Sequence, residues 1–151
     1  MELSCIERER TMTVDNYLQE TGALATLSGI LAGFAFSAVV QFLSNERKGR
    51  LYTAAIIIFS VSTLMFLFSL IMFVLGFAAT AELNSIPTEL DAWGTYTFLV
   101  LLGAVYLFLS GIGLAGWIRS RLAGLATSGF ALITICLTTW GLGTVIAIFA
   151  K

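Results

Sequence analysis

The sequence predicts an all-α membrane protein with four transmembrane helices, and two observations carry that prediction. Of the 151 residues, 58% are hydrophobic and only 11% are charged, with a mean hydropathy of +0.95. So few charges cannot cover the surface of a soluble domain of this size. Long apolar segments separated by short charged ones fill the chain from residue 17 onward. We therefore expect one four-span transmembrane domain over 17–151, preceded by a polar N-terminal tail over 1–16.

The first two predicted spans cover about 17–44 and 51–80. Asn16, with Gln19 three residues later, is expected to cap the first helix. The uncharged stretch from Leu24 to Leu43 is long enough to cross about 30 Å of hydrocarbon. A short basic linker over 45–50 makes the two spans antiparallel neighbours. The second span is apolar almost all round, so its whole surface is expected to contact lipid or other helices.

The last two predicted spans cover about 92–118 and 122–149. An acidic loop over 82–91, which holds the only proline, precedes the third span. Trp93 and Trp117 lie near the ends of that span, where amphipathic rings favour the membrane interface. The short segment 119–121 is expected to be a tight hinge. Gly141 and Gly143 are candidates for a bend in the fourth span, because glycine departs from ideal helix geometry at low cost.

The distribution of basic residues predicts the orientation in the membrane. The first and third loops together carry more Lys and Arg than the termini do: Arg47, Lys48, Arg50, Arg119 and Arg121 against Arg8, Arg10 and Lys151. The positive-inside rule therefore places both termini outside. We expect an integral, multi-pass protein of the cell (inner) membrane.

The composition also excludes several classes of function. The chain has no His, and Cys5 and Cys136 lie far apart, so we expect no metal site and no cofactor. No nucleophile and base can be paired from these residues, so we expect no enzyme. A net charge of −1 gives no basis for binding nucleic acid.

The residues with the clearest functional pattern lie on one line of the first span. At about 100° per residue, one set falls within roughly 60° of a common line. The members of this first-span stripe are Gln41, Ser37, Phe34, Ile30, Thr26, Ala23 and Gln19, with Glu20 at its edge. Amides stand at both ends and the middle is mostly apolar. That pattern is typical of a pore-lining helix with a polar mouth and a hydrophobic constriction.

A packing role explains part of the same segment equally well. Gly22, Thr26, Gly29, Gly33 and Ser37 form a ridge of small residues at three- and four-residue spacing. The Gly29-x-x-x-Gly33 spacing allows two transmembrane helices to approach closely. The two interpretations are compatible, because copies packed around an axis need small residues beside the lining stripe.

Several short motifs resemble the Orai family of store-operated calcium channels. Gly33-Phe34-Ala35, followed by a small and apolar run and a polar residue eight positions after the glycine, is similar to the family's first span. Three further stretches resemble parts of its second, third and fourth spans, in the same order: Ile58 to Leu64, Leu114 to Arg119 and Thr138 to Gly143. The chain then looks like a distant, prokaryotic-like relative that lacks the acidic filter residue.

The resemblance implies a ring of six subunits whose first helices line a central pore, with the other helices in outer layers. It places Gln41 at the filter, Ser37 and Phe34 at the hydrophobic gate with Gly33 as hinge, and Ile30 and Thr26 along the deeper wall. Where the family has a glutamate, Gln41 offers only a neutral carbonyl. A hard divalent cation prefers anionic oxygens, so the resemblance gives no basis for calcium selectivity.

Three functions follow as hypotheses. The first is a small homo-oligomeric channel for inorganic cations, lined by the first span and embedded in the lipid bilayer. The second is a non-conducting sensor, scaffold or membrane-perturbing effector that oligomerises through small-residue helix faces. The third is a four-span drug transporter, which needs a titratable residue at membrane depth; Glu20 is the only one near, and this hypothesis ranks last.

Overall fold

The chain folds into four long helices. The computed structural model describes residues 2–44, 49–83 and 88–149, with side chains over 14–44, 49–83, 92–118 and 120–144. The helices are α1 (Glu2–Leu43), α2 (Arg50–Leu83), α3 (Thr88–Arg119) and α4 (Arg121–Phe149). All four are long and apolar enough to cross a membrane. The prediction of an all-helical chain with four candidate spans is confirmed.

The prediction for the start of the first helix is wrong. α1 begins at Glu2 and spans 42 residues, so Asn16 lies inside the helix and does not cap it. The stretch before Asn16 contains neither Gly nor Pro and includes three Glu, two Arg and two Met, which extend a helix at little cost. A polar composition was therefore a poor guide to the helix boundary.

The second and third connections between the helices are shorter than the sequence predicted. Glu82 lies in the last turn of α2 and Asp91 in the first turn of α3, so most of the predicted acidic loop is helical. The predicted hinge between the last two helices is confirmed, because only Ser120 separates α3 from α4. Its hydroxyl accepts a hydrogen bond from the Ala123 backbone N–H at 3.1 Å, which is the geometry of a helix N-cap.

The helices pack in the order in which they occur in the chain. The extensive contacts join α1 to α2, α2 to α3, and α3 to α4. Over the described residues α1 and α4 share no extensive contact, so α1 packs on the α2 side of the α2–α3 pair, α4 packs on its α3 side, and the four helices do not close into a bundle. The accessible surface of 10668 Å² exceeds the value of about 7,500 Å² expected for a compact soluble monomer of this mass. Much of that surface is apolar, as a bilayer environment requires.

The core lies among the first three helices. Small side chains of α1 meet aromatic rings of α2 and α3, and the buried members of the cluster are Ala25, Ala32, Ala35, Phe66, Phe73, Leu101 and Ala104. Phe108 of α3 stands edge-on to Phe59 and Phe66 of α2, with ring centroids 5.7 and 6.1 Å apart. The Ser62 hydroxyl donates to the Ala104 carbonyl oxygen at 3.0 Å, so α2 and α3 are also joined by a buried hydrogen bond.

Candidate functional site

The face of α1 that packs within the chain is a row of small residues different from the predicted ridge. Buried positions recur every three or four residues from Thr21 onward, and Val14 lies seven residues before Thr21; the row consists of Val14, Thr21, Ala25, Ser28, Ala32, Ala35 and Val39. This seven-residue repeat keeps one seam of the helix against its neighbours. The Thr21 and Ser28 hydroxyls donate to the Tyr17 and Leu24 carbonyl oxygens of their own helix, each at 2.7 Å. The inner face of α1 therefore leaves neither hydroxyl unsatisfied.

The first-span stripe lies on the opposite side of α1. Every one of its members is exposed: Glu20, Gln19, Ala23, Thr26, Ile30, Phe34, Ser37 and Gln41. The packed row is centred roughly half a turn from the stripe, at about 100° per residue. Within one copy of the chain, packing thus leaves the whole stripe facing outward.

The polar side chains in the middle of the stripe are satisfied locally. Thr26 donates to the Gly22 carbonyl oxygen at 2.9 Å, and Ser37 donates to the Gly33 carbonyl oxygen at 2.8 Å. Such bonds to the preceding turn let a hydroxyl face an apolar medium without a partner elsewhere. The middle of the stripe is therefore effectively apolar despite its two hydroxyls.

The two glycines of the predicted close-approach motif have different surroundings. A Cβ on Gly29 would lie 3.7 Å from the Leu70 side chain of α2, an ordinary contact. A Cβ on Gly33 would have no neighbour within 4 Å among the residues that the structure describes. Gly29 therefore borders the α1–α2 contact, whereas Gly33 faces outward beside the stripe.

Gln41 stands at the border between the stripe and a groove. A space of about 540 Å³ opens between the C-terminal ends of α1 and α3, and Gln41 and Ser44 supply polar atoms to its lining. Its other walls include Phe59 of α2 and Ala115 of α3. Gln41 therefore belongs to the stripe and also lines the groove.

The two candidate hinge glycines of α4 lie in an unbroken helix. α4 runs from Arg121 to Phe149 as one α-helix through Gly141 and Gly143. A Cβ at either position would have no neighbour within 4 Å. A bend at these residues stays a prediction.

The charged side chains separate between the two ends of the molecule. Among the charged side chains that the structure describes, the acidic ones (Asp15, Glu20 and Glu82) lie at the end formed by the start of the α1 span and the end of α2. The basic ones, Arg50 and Arg121, lie at the other end. The N-terminal end of the stripe is therefore the acidic end. Among the residues that the structure describes, no three carboxylate or cysteine side chains come together as a metal site.

No pattern in the sequence predicts a cavity at the acidic end. It lies between α1, α2 and α3, is partly open to the outside and has a volume of about 340 Å³, with Tyr17, Gly76, Ala79, Trp93 and Gly94 in its walls. These residues come from three distant segments, and no spacing within one segment connects them. We refer to this space as the acidic-end cavity.

Comparison of the chain with protein-family models, curated proteins and solved structures gave no match.

Proposed function

We propose that the protein is a small oligomeric ion channel in which several copies bring α1 together and line a pore with the first-span stripe. The observation that carries the proposal is the outward exposure of every stripe member on the side of α1 that intrachain packing leaves free. One copy cannot enclose a pore, so the function requires self-association. The resemblance to the Orai family points to six copies.

The helix order supports this arrangement. α1 stands on one flank of the α2–α3 pair and α4 on the other, so α1 can occupy the centre of a ring while α4 faces the surrounding lipid. Gly22 lies against Phe77 and Gly29 against Leu70, which sets Leu83, the end of α2, level with about Asn16. Residues 2–15 of α1 then extend roughly 20 Å beyond α2. In a ring, they lengthen the passage on the acidic side.

The charges and polarity of the stripe favour weakly selective passage of cations. Glu20 stands at the mouth nearest the acidic end, where a negative potential raises the local concentration of cations. Phe34 and Ile30 form the apolar middle, the type of constriction that gates by dewetting. Gln41 offers a neutral amide at the other mouth, so we propose no calcium selectivity.

The sharpest test compares two phenylalanines of the same helix. Phe34, on the stripe, is 62% exposed and Phe36, off the stripe, is 59% exposed. We expect Phe34→Ala to raise cation flux into liposomes several-fold, because it removes an apolar constriction. Phe36→Ala should leave the flux at the wild-type level. Equal effects of the two changes contradict the assignment of the stripe to the pore.

A second test concerns the ion preference of Gln41. Gln41→Glu adds a ring of carboxylates, which should raise divalent over monovalent permeability. Gln41→Asn keeps a neutral amide and is the matched control, with the ion preference unchanged. Absence of any flux from a stable wild-type oligomer, with its mass measured in the same preparation, rejects the channel.

A non-conducting assembly is the alternative, as a sensor, scaffold or membrane-perturbing effector. The observation that favours it is the satisfaction of Thr26 and Ser37 by their own helix beside the open Gly33. Such a face can pack against another helix without stranding a polar group. This alternative predicts that Gly33→Leu breaks the oligomer while Gln41→Ala changes nothing. Gly143→Leu, on an equally open site in α4, serves as the control.

A further inference from the structure

The acidic-end cavity exists because three helices meet where their side chains are small. Gly76 and Ala79 of α2 and Gly94 of α3 form part of its wall. Among the described side chains, a Cβ on Gly94 would approach only the Tyr17 hydroxyl, at 3.7 Å. The volume of about 340 Å³ falls at the lower end of the range of about 300–1,000 Å³ typical of ligand pockets.

The interior of the cavity is apolar and aromatic. The Thr21 hydroxyl donates to the Tyr17 carbonyl oxygen at 2.7 Å, and the Thr97 hydroxyl donates to the Trp93 carbonyl oxygen at 2.8 Å. Both hydroxyls are therefore used within their own helices. The walls otherwise present rings and aliphatic groups, including Tyr17, Phe73 and Trp93. Trp93 also stands edge-on to Tyr96, with ring centroids 6.4 Å apart.

The charge beside the cavity is negative. Glu20 is the neighbour in sequence of the wall residue Thr21, and Glu82 lies one helical turn beyond the wall residue Ala79. Both carboxylates are exposed. The basic side chains that the structure describes, Arg50 and Arg121, lie at the far end of the helices and cannot neutralise them.

We propose that the acidic-end cavity binds an amphipathic organic cation, of the class of the alkyltrimethylammonium ions. The alkyl chain occupies the space between the helices. The ammonium group lies among the rings of Tyr17 and Trp93, since aromatic faces attract quaternary ammonium groups, and near the carboxylates of Glu20 and Glu82. None of the cavity's wall residues belongs to the first-span stripe, and the two sites share only the neighbouring carboxylate of Glu20. Binding in the cavity does not depend on whether the protein conducts ions.

The test measures binding of radiolabelled decyltrimethylammonium, below its micelle-forming concentration, to the protein in nanodiscs of zwitterionic lipid. Gly94→Leu should weaken binding about tenfold or more, because the new side chain fills the cavity. Gly129→Leu is the matched control: it makes the same change in α4, where a Cβ has no neighbour within 4 Å. It should leave affinity unchanged. Should Gly94→Leu reduce the yield of folded protein, Gly94→Ala gives a smaller loss in the same direction.

The charge of the ligand is tested separately. Glu20→Gln combined with Glu82→Gln should weaken decyltrimethylammonium binding about threefold or more, since each exposed carboxylate contributes modestly. Decanol has the same chain without the charge, and we expect it to compete poorly in the wild type and equally poorly in the double variant. Competition by decanol as strong as that of the cation overturns the proposal in favour of an uncharged lipid chain. Binding unaffected by Gly94→Leu places the ligand elsewhere and also overturns it.

Discussion

The hairpin of α1 and α2 and the hairpin of α3 and α4 are held together by different means. In the first, small side chains of α1 pack on large rings of α2, as Ala32 and Ala35 do with Phe66 in the core cluster. In the second, glycines bring the two backbones together: a Cβ at Gly116 would lie 2.9 Å from the Ala123 carbonyl oxygen. The contact between α1 and α2 depends on the volume of the side chains that fill it. The contact between α3 and α4 depends on the absence of a side chain at its glycines.

The two hairpins also differ in the hydrogen bonds that join their helices. Between α3 and α4, the Trp117 indole N–H donates a hydrogen bond to the Ser128 hydroxyl at 3.0 Å. The hydroxyls of Tyr106 and Thr139 are also hydrogen-bonded to each other, at 3.0 Å. Between α1 and α2, the Tyr52 hydroxyl donates to the Phe42 carbonyl oxygen near the connecting segment. The second hairpin is thus joined by polar contacts along its length. Side-chain volume in the first hairpin, and close backbone approach in the second, can be tested independently.

The largest effect is expected from removing a ring at the centre of the first three helices. Phe66 is fully buried, so Phe66→Ala should lower the free energy of unfolding by about 3–5 kcal/mol. Phe68 on the same helix is exposed, and Phe68→Ala is the control, with little change. Titration with a denaturing detergent in mixed micelles measures both. Equal losses contradict a core centred on α2.

A smaller effect is expected from adding one methyl group to the second hairpin. Gly116→Ala forces the backbones of α3 and α4 apart, because Gly124 Cα would be 3.1 Å from the new Cβ. Overpacking of this kind costs about 1–3 kcal/mol. Gly129→Ala, in open space on α4, should stabilise the helix by up to about 1 kcal/mol. Opposite signs in the same unfolding assay support the comparison, and equal signs contradict it.

The smallest effect is expected from single hydrogen bonds between helices. Tyr106→Phe removes the bond to Thr139, and Ser62→Ala removes the bond to the Ala104 carbonyl oxygen. Each should lower the free energy of unfolding by about 0.6 kcal/mol, the average for such bonds in membrane proteins. A loss several times larger for Tyr106→Phe indicates that α3 and α4 depend on polar contacts more than on close packing.

Hydropathy predicted the number of helices and the turn at Ser120, because both leave a clear mark in composition. It could not predict which side of α1 packs inward. In a soluble helix the buried side is the apolar one, but here both sides are apolar, and Ala32 and Phe36 differ in size more than in polarity. The inner row is recognisable only as a seven-residue repeat of small residues. That repeat competes with the ridge through Gly29 and Gly33.

The stripe could be drawn from the sequence because it needs only the periodicity of one helix. The exposure of the stripe could not be predicted, because it depends on where α2 and α3 lie. The acidic-end cavity could not be predicted for the same reason: Tyr17, Gly76 and Gly94 come together only through helix pairing. The early start of α1 does not follow from the charge pattern, because Glu and Arg occur in exposed loops and also favour helices.

The stepwise contact order of the helices has a consequence for biogenesis. Each helix finds its main partner in the one synthesised just before it, so no segment waits for a distant part of the chain to leave the ribosome. Over the described residues the buried cluster draws on the first three helices alone, so it can be complete before the last one enters the bilayer. α4 then joins a finished scaffold along a glycine-lined surface. Local pairing of this kind shortens the search for the native arrangement and limits the time during which unpaired spans are open to wrong partners.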